Sequence, residues 1–187
     1  MSQKMIRTIE EAATLIEELT VCAIFGSSKS DIPSLWDHVD LPDKKPGEKG
    51  WGEKMGAVWT WKNQLPADYP EDIFYGKIKG GIAVLMAMQH LRQVHFPEAY
   101  KDVTKLNPLA QFIHEKIRIE PWDTTHLRNL VVEEYGCSKS QFDTALKHLQ
   151  ISLNIVRVND ADFERDTWVL FNELYPDIWN QYVGEDA

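Results

Sequence analysis

WDTTHLRNLVVEEYGCSKSQFDTALKHLQISLNIVRV, residues 122–158, followed by TWVLFNEL at 167–174, decides the fold. Asp123 can cap a helix by accepting from the free N–H groups of its first turn. Leu127, Leu130 and Val131, with Glu134 or Tyr135, then follow helical spacing, and Gly136 offers the left-handed stop. Cys137 bridges a tight turn. Ser138 with Gln141 matches a capping box for a second helix. Phe142, Ala145, Leu146 and Leu149 fall at i, i+3, i+4 and i+7 and face inward, leaving Lys139, Ser140, Asp143, Lys147 and His148 outside. Ile151, Leu153, Ile155 and Arg157 alternate with their neighbours, which predicts a strand over 151–158. Residues 159–166 are polar and acidic, a loop tip, and 167–174 reads as the returning strand.

A helix over 107–120 precedes this unit. Pro108 suits its first turn, and Leu109, Phe112, Ile113 and Ile117 form its apolar stripe. Three helices and a hairpin in that order predict a winged helix-turn-helix over residues 105–187, in an α+β chain that is mostly helical. Residues 1–104 read as a helical region with a hairpin. Thr8 and Glu11 form a capping box before a helix that becomes fully apolar toward Phe25, and 33–39 is a short helix. Residues 40–50 are loop, and 50–65 is a helix ending before Pro66, with Met55, Val58 and Trp59 on one face. Gly80-Gly81 suits a primed turn between strands at 73–79 and 82–88, and 89–96 begins a further helix. This order raises the expectation of a second, degenerate winged-helix-like unit. Residues 176–183 predict a last short helix, and 184–187 a frayed end.

The chain has 187 residues, 43% hydrophobic, with seven tryptophans, enough for one large or two small cores. It has no apolar run of the roughly eighteen residues a spanning helix needs, so no membrane association is expected. MSQKMIRTIEEA lacks the apolar stretch of a secretory leader, and two distant cysteines, Cys22 and Cys137, suit a reducing cytoplasm. The formal net charge is −9. Strong nonspecific nucleic-acid binding needs phosphate neutralisation, which this balance opposes. The distribution is uneven. Residues 105–159 hold seven Lys/Arg against six Asp/Glu, and 160–187 hold one against eight. Residues 73–92 carry Lys77, Lys79 and Arg92 with no acid.

The stretches SLWDHV (34–39), WGEKMGAVWTWKNQLP (51–66), FYGKIKGG (74–81) and the helix-turn-helix stretch together resemble the AlkZ/YcaQ winged-helix family. They are most similar to its short AlkZ-related branch. The resemblance implies tandem winged helices and DNA as the partner, since full-length members are DNA glycosylases that unhook interstrand crosslinks. It also implies a Gln-x-Gln or Gln-x-Asp pair that positions water. Gln64, Gln89, Gln93 and Gln111 have no such partner two residues on. The one formal match, Gln141-Phe142-Asp143, lies within the second helix of the late unit, where residues two apart diverge in direction. No catalytic residue is assigned.

The six histidines form neither HxxxH nor HExxH, so no metal or cofactor is expected. The stretch 50–56 is one residue off GxGxxG and lacks a preceding strand, and Gly26-Ser27-Ser28-Lys29-Ser30 is not a nucleophile elbow. The remaining chemistry is aromatic and basic. Trp61, Lys62, Tyr75, Lys77, Lys79 and Arg92 offer stacking groups and cations for a nucleic acid. Lys139, Lys147 and His148, with Arg128 on the helix before, form the face a winged helix turns to the major groove. That face contains Asp143 and no arginine reader, which argues against operator-type recognition. The sequence therefore predicts association with duplex or damaged DNA without identifiable glycosylase residues. Two alternatives stay open: an acidic interaction module with a protein partner or as a homodimer, and a divergent DNA glycosylase.

Overall fold

A computed structural model describes residues 4–28, 30–160 and 165–184. The fold is α+β. The chain divides into two compact units, one of residues 1–75, 82–91 and 159–162, the other of residues 76–81, 92–158 and 163–187. Part of the predicted acidic loop tip (161–164), Lys29 and the end of the tail (185–187) lie outside the described residues.

The first unit starts with helix α1 (Ile9–Leu19), whose capping box forms as predicted. Thr8 Oγ1 accepts from the Glu11 N–H, and Glu11 accepts from the Thr8 N–H. The helix stops at Leu19 rather than running on toward Phe25. Thr20 turns the chain at φ 62, and strand β1 (Val21–Ala23) follows. A short apolar run has no helical period of its own, so a strand partner decides its state. Helix α2 (Leu35–His38) is capped by Ser34, whose hydroxyl accepts from the Asp37 N–H at 3.1 Å.

Helix α3 (Glu53–Asp68) passes through Pro66 instead of ending before it. A proline removes only its own N–H, and the Tyr69 N–H donates to the Leu65 carbonyl at 2.9 Å to close the last turn. Strands β2 (Ile73–Ile78) and β3 (Ile82–Ala87) form the predicted hairpin. Its turn takes three residues, because Lys79 joins the two glycines. The Gly81 N–H donates to Ile78 O at 2.9 Å, with Gly80 at φ 89 and Gly81 at φ 79. The sheet order is β1-β3-β2. Ile16, Cys22, Leu35, Val58, Leu65 and Leu85 build the core beneath it.

The helical stretch after β3 is interrupted. Helix α4 (Met88–His90) leads through a π turn (Leu91–His95) into α5 (Phe96–Ala99). The second unit continues with α6 (Pro108–Ile119), capped by Asn107, whose side chain accepts from the Ala110 N–H at 2.9 Å. A two-residue strand that the sequence reading missed, β4 (Trp122–Asp123), precedes α7 (Thr124–Tyr135). Asp123 caps α7 and Gly136 ends it at φ 77. Helix α8 (Lys139–Ile151) opens with the Ser138–Gln141 capping box.

The predicted strand over 151–158 begins only at Ile155. The Asn154 N–H donates to Leu149 O and the Leu153 N–H to Gln150 O, with Leu153 at φ 55. This is a Schellman ending with leucine in the left-handed position, and it uses 152–154 for the turn. Strand β5 (Ile155–Arg157) is buried at every residue, so the expected alternation is absent. The returning strand β6 (Thr167–Leu170) gives way to α9 (Phe171–Leu174) and then α10 (Pro176–Tyr182). Residues 171–174 turn helical because their aromatic and leucine side chains pack, as Phe171 does against Phe96 at 4.9 Å.

The second sheet runs β4-β6-β5, with Trp122 opposite Trp168 and Ile155 opposite Leu170. Ile113, Ile117, Leu127, Val131, Phe142, Ala145 and Leu149 form its core. Both sheets thus arise from one element order: helix, strand, helix, helix, strand, strand, with the last strand central. A winged helix-turn-helix over 105–187 is compatible with that order, and so is a second unit of the same plan.

Candidate nucleic-acid interface

The predicted site residues fall into two groups, each within one unit. The first is on α3 and β2. The buried stripe of α3 is Val58, Trp61, Lys62, Leu65 and Pro66. Trp61 is 8% exposed and belongs to the core, whereas Trp59 is 43% exposed. The helix is therefore rotated from the face the sequence indicated. Leu65 settles the register, since the spacing i, i+3, i+4 and i+7 from Val58 reaches it. Lys62 is buried, and its ammonium sits 4.0 Å from the Trp59 ring centroid and 5.7 Å from that of Tyr75. Cation–π attraction is strongest where water is excluded, which suits a lysine this deep. Tyr75 is half-buried against the core of the first unit.

The second group is in the second unit. The hairpin loop, residues 76–81, lies with α8: a Cβ placed on Gly81 would come 3.0 Å from the Lys147 side chain. Lys77 is half-buried there, and burial pushes its ammonium below the ordinary lysine range. Asp166 pulls it back up, Lys147 pushes it further down, and Asp143 again favours its charge. Asp143 also accepts from Arg128 at 2.9 Å, and Asp166 from the buried Arg157 at 3.4 Å. Lys79, Lys139 and His148 are exposed. Arg92 lies on the π turn, and its carbonyl accepts from the Tyr182 hydroxyl at 2.8 Å.

The formal glutamine–aspartate match is committed to structure. Gln141 accepts from the Ser138 N–H at 2.8 Å, Phe142 is fully buried, and Asp143 is held by Arg128. A cleft of about 440 Å³ opens beside Gln141, between the start of α6 and the α7–α8 turn. Asn107, Leu109, Tyr135, Cys137 and Thr144 line it. Sequence reasoning missed it, because it is made by the approach of two helix ends distant in the chain. Among the described residues no cluster of histidine, cysteine or carboxylate could hold a metal ion. Both cysteines are free thiols. No helix among the described residues is long and apolar enough to cross a membrane.

A family model described as AlkZ related matches residues 6–167. The chain belongs to the AlkZ-related family. No curated protein and no solved structure matches it. The match covers the first element repeat, the second as far as the first residue of β6, and every residue named above as a candidate contact.

Proposed function

We propose that this AlkZ-related protein associates with DNA through the hairpin loop and the exposed side of α8, with no glycosylase step assigned. The observation that carries this reading is that the lysine-bearing hairpin loop packs, at Gly81, against the Lys147 side chain of α8. Asp166 and Asp143 already favour the Lys77 charge against Lys147, and phosphate oxygens would add to that relief. Lys79 and Lys139 extend the patch. Arg128 is ion-paired with Asp143, so it holds α8 in place rather than reading bases. Phosphate contact supplies affinity without sequence information, which suits a helix lacking an arginine reader. Lys62 and Tyr75, in the first unit, belong to a separate aromatic contact, and Trp61 serves the core.

Fluorescence anisotropy with a labelled duplex tests the proposal. The dissociation constant rises with salt, and each phosphate contact contributes about 0.9 to the log–log slope. The double variant K77A/K147A lowers that slope by about 1–2 and weakens binding to all sequences alike. Absence of binding to duplex, single-stranded or abasic DNA at low salt overturns it. One observation favours a second reading: Asp143 sits amid the lysines of α8 and repels phosphate. A protein partner or a second copy of the chain would then cover this face, and light scattering at rising concentration would show the dimer.

A further inference from the structure

The first unit carries a surface feature that the phosphate contacts do not use. Trp51 is 65% exposed and Trp59 is 43% exposed, and their rings meet edge to face with centroids 5.6 Å apart. Large indoles left in water are uncommon, and a pair of them marks a contact surface. This pair is built to stay there. Lys62 is buried and lays its ammonium on the Trp59 ring at 4.0 Å, which fixes that indole at the helix surface. Trp59 in turn fixes Trp51.

The loop before α3 closes on itself to present Trp51. The Lys54 N–H donates to Pro42 O at 3.1 Å, and Lys44 Nζ donates to Gly50 O at 3.2 Å. At Gly52 a Cβ would lie 2.4 Å from the Lys44 backbone nitrogen, so no other residue fits without moving the loop. Residues 41–62 contain five lysines against three acids; Lys62 is buried, and Asp43, Glu48 and Glu53 are exposed among the loop lysines. Lys44, Lys45 and Lys49 are exposed on the loop.

We propose that Trp51 and Trp59, set among these lysines, form a stacking platform for an unpaired base of a DNA strand. An aromatic face accepts any of the four bases, and nearby lysines hold the backbone phosphates. A base within a duplex presents only its edges, so the platform takes single-stranded or locally opened DNA. The inference rests on the DNA reading above and adds the strand state that is recognised.

The experiment compares a labelled thymidine oligonucleotide with a duplex of the same length, by anisotropy and by quenching of intrinsic tryptophan fluorescence. The proteins are the full chain, W51A, W51F and G52A, with circular dichroism and unfolding midpoints checked for each. W51A loses about tenfold in affinity for the single strand and stays within about twofold for the duplex. W51F keeps most of the single-strand affinity, because it keeps a ring. G52A shifts toward W51A, because the loop must move. Equal single-strand affinity for W51A and the parent chain overturns the platform. So does duplex binding without single-strand binding, which leaves the phosphate reading intact. Binding to neither overturns both. A dimer that W51A dissolves, with no effect on DNA, assigns the indoles to a protein contact instead.

Discussion

Thr20 and Leu153 are the residues the sequence could least reveal. Both take positive φ, 62 and 55, without being glycine. Such a backbone costs roughly 1–2 kcal/mol for a residue with a Cβ. Thr20 is exposed, so Thr20→Gly removes strain and loses little packing. It raises stability by about 0.5–1 kcal/mol in urea unfolding, against the usual effect of glycine. Leu153 is fully buried, so Leu153→Gly loses more packing than it gains in relief, and stability falls by about 1–3 kcal/mol. Cys22 is legible only in part. Its spacing from Cys137 excluded a local motif, but its depth came from tertiary packing. Burial pushes its thiol up to about 12, with Asp37 acting in the same direction. The unfolded thiol ionises near 9, so below that pH the group is neutral in both states and costs nothing. As pH rises from about 9 toward 12, only the unfolded chain gains the thiolate, and stability is lost over that window. Urea midpoints at pH 8 and pH 10.5 check the sign, with Cys22→Ala removing this part of the slope. Thiol labelling at pH 8 reaches the half-buried Cys137 before Cys22.

At the scale of elements, helix starts were written locally and strand ends were not. Thr8, Asp123 and Ser138 cap their helices through side-chain oxygens a few residues from their targets, so the sequence alone indicates them. Ser138→Ala costs about 1 kcal/mol. Gly136→Ala costs a similar amount, roughly 1 kcal/mol, since alanine resists φ 77 at the end of α7. Phe142 is fully buried in the core shared by α6, α7 and α8, and Phe142→Ala lowers stability by about 3–5 kcal/mol. Denaturant midpoints separate these classes cleanly. Strands β1 and β4 are three and two residues long, too short for any period, and exist because β3 and β6 supply partners. The hydrophobic face of α3 was ambiguous for a different reason. Tryptophans at 59 and 61 both fit an apolar stripe, and only the position of Leu65 in the core chooses between them.

For the whole molecule, one element order occurs twice, with the same strand order in each sheet, although the halves share no evident sequence likeness. Topology repeats where residues do not, because many apolar sets fill the same layers. The family match runs from before α1 to the first residue of β6. The cations read from the sequence gather as a group only in part. The hairpin loop that carries Lys77 and Lys79 packs against Lys147, whereas Trp61 and Lys62 are buried and the exposed indoles are Trp59 and Trp51. A sequence lists residue types, but burial decides which of them a partner can touch. The most direct test of the DNA reading is a salt titration of the full chain with labelled duplex at fixed pH. The account predicts saturable binding at low salt, a linear fall of log affinity with log salt, and a shallower line for K77A/K147A. A flat baseline at every salt concentration, or binding that the double variant leaves unchanged, would contradict it.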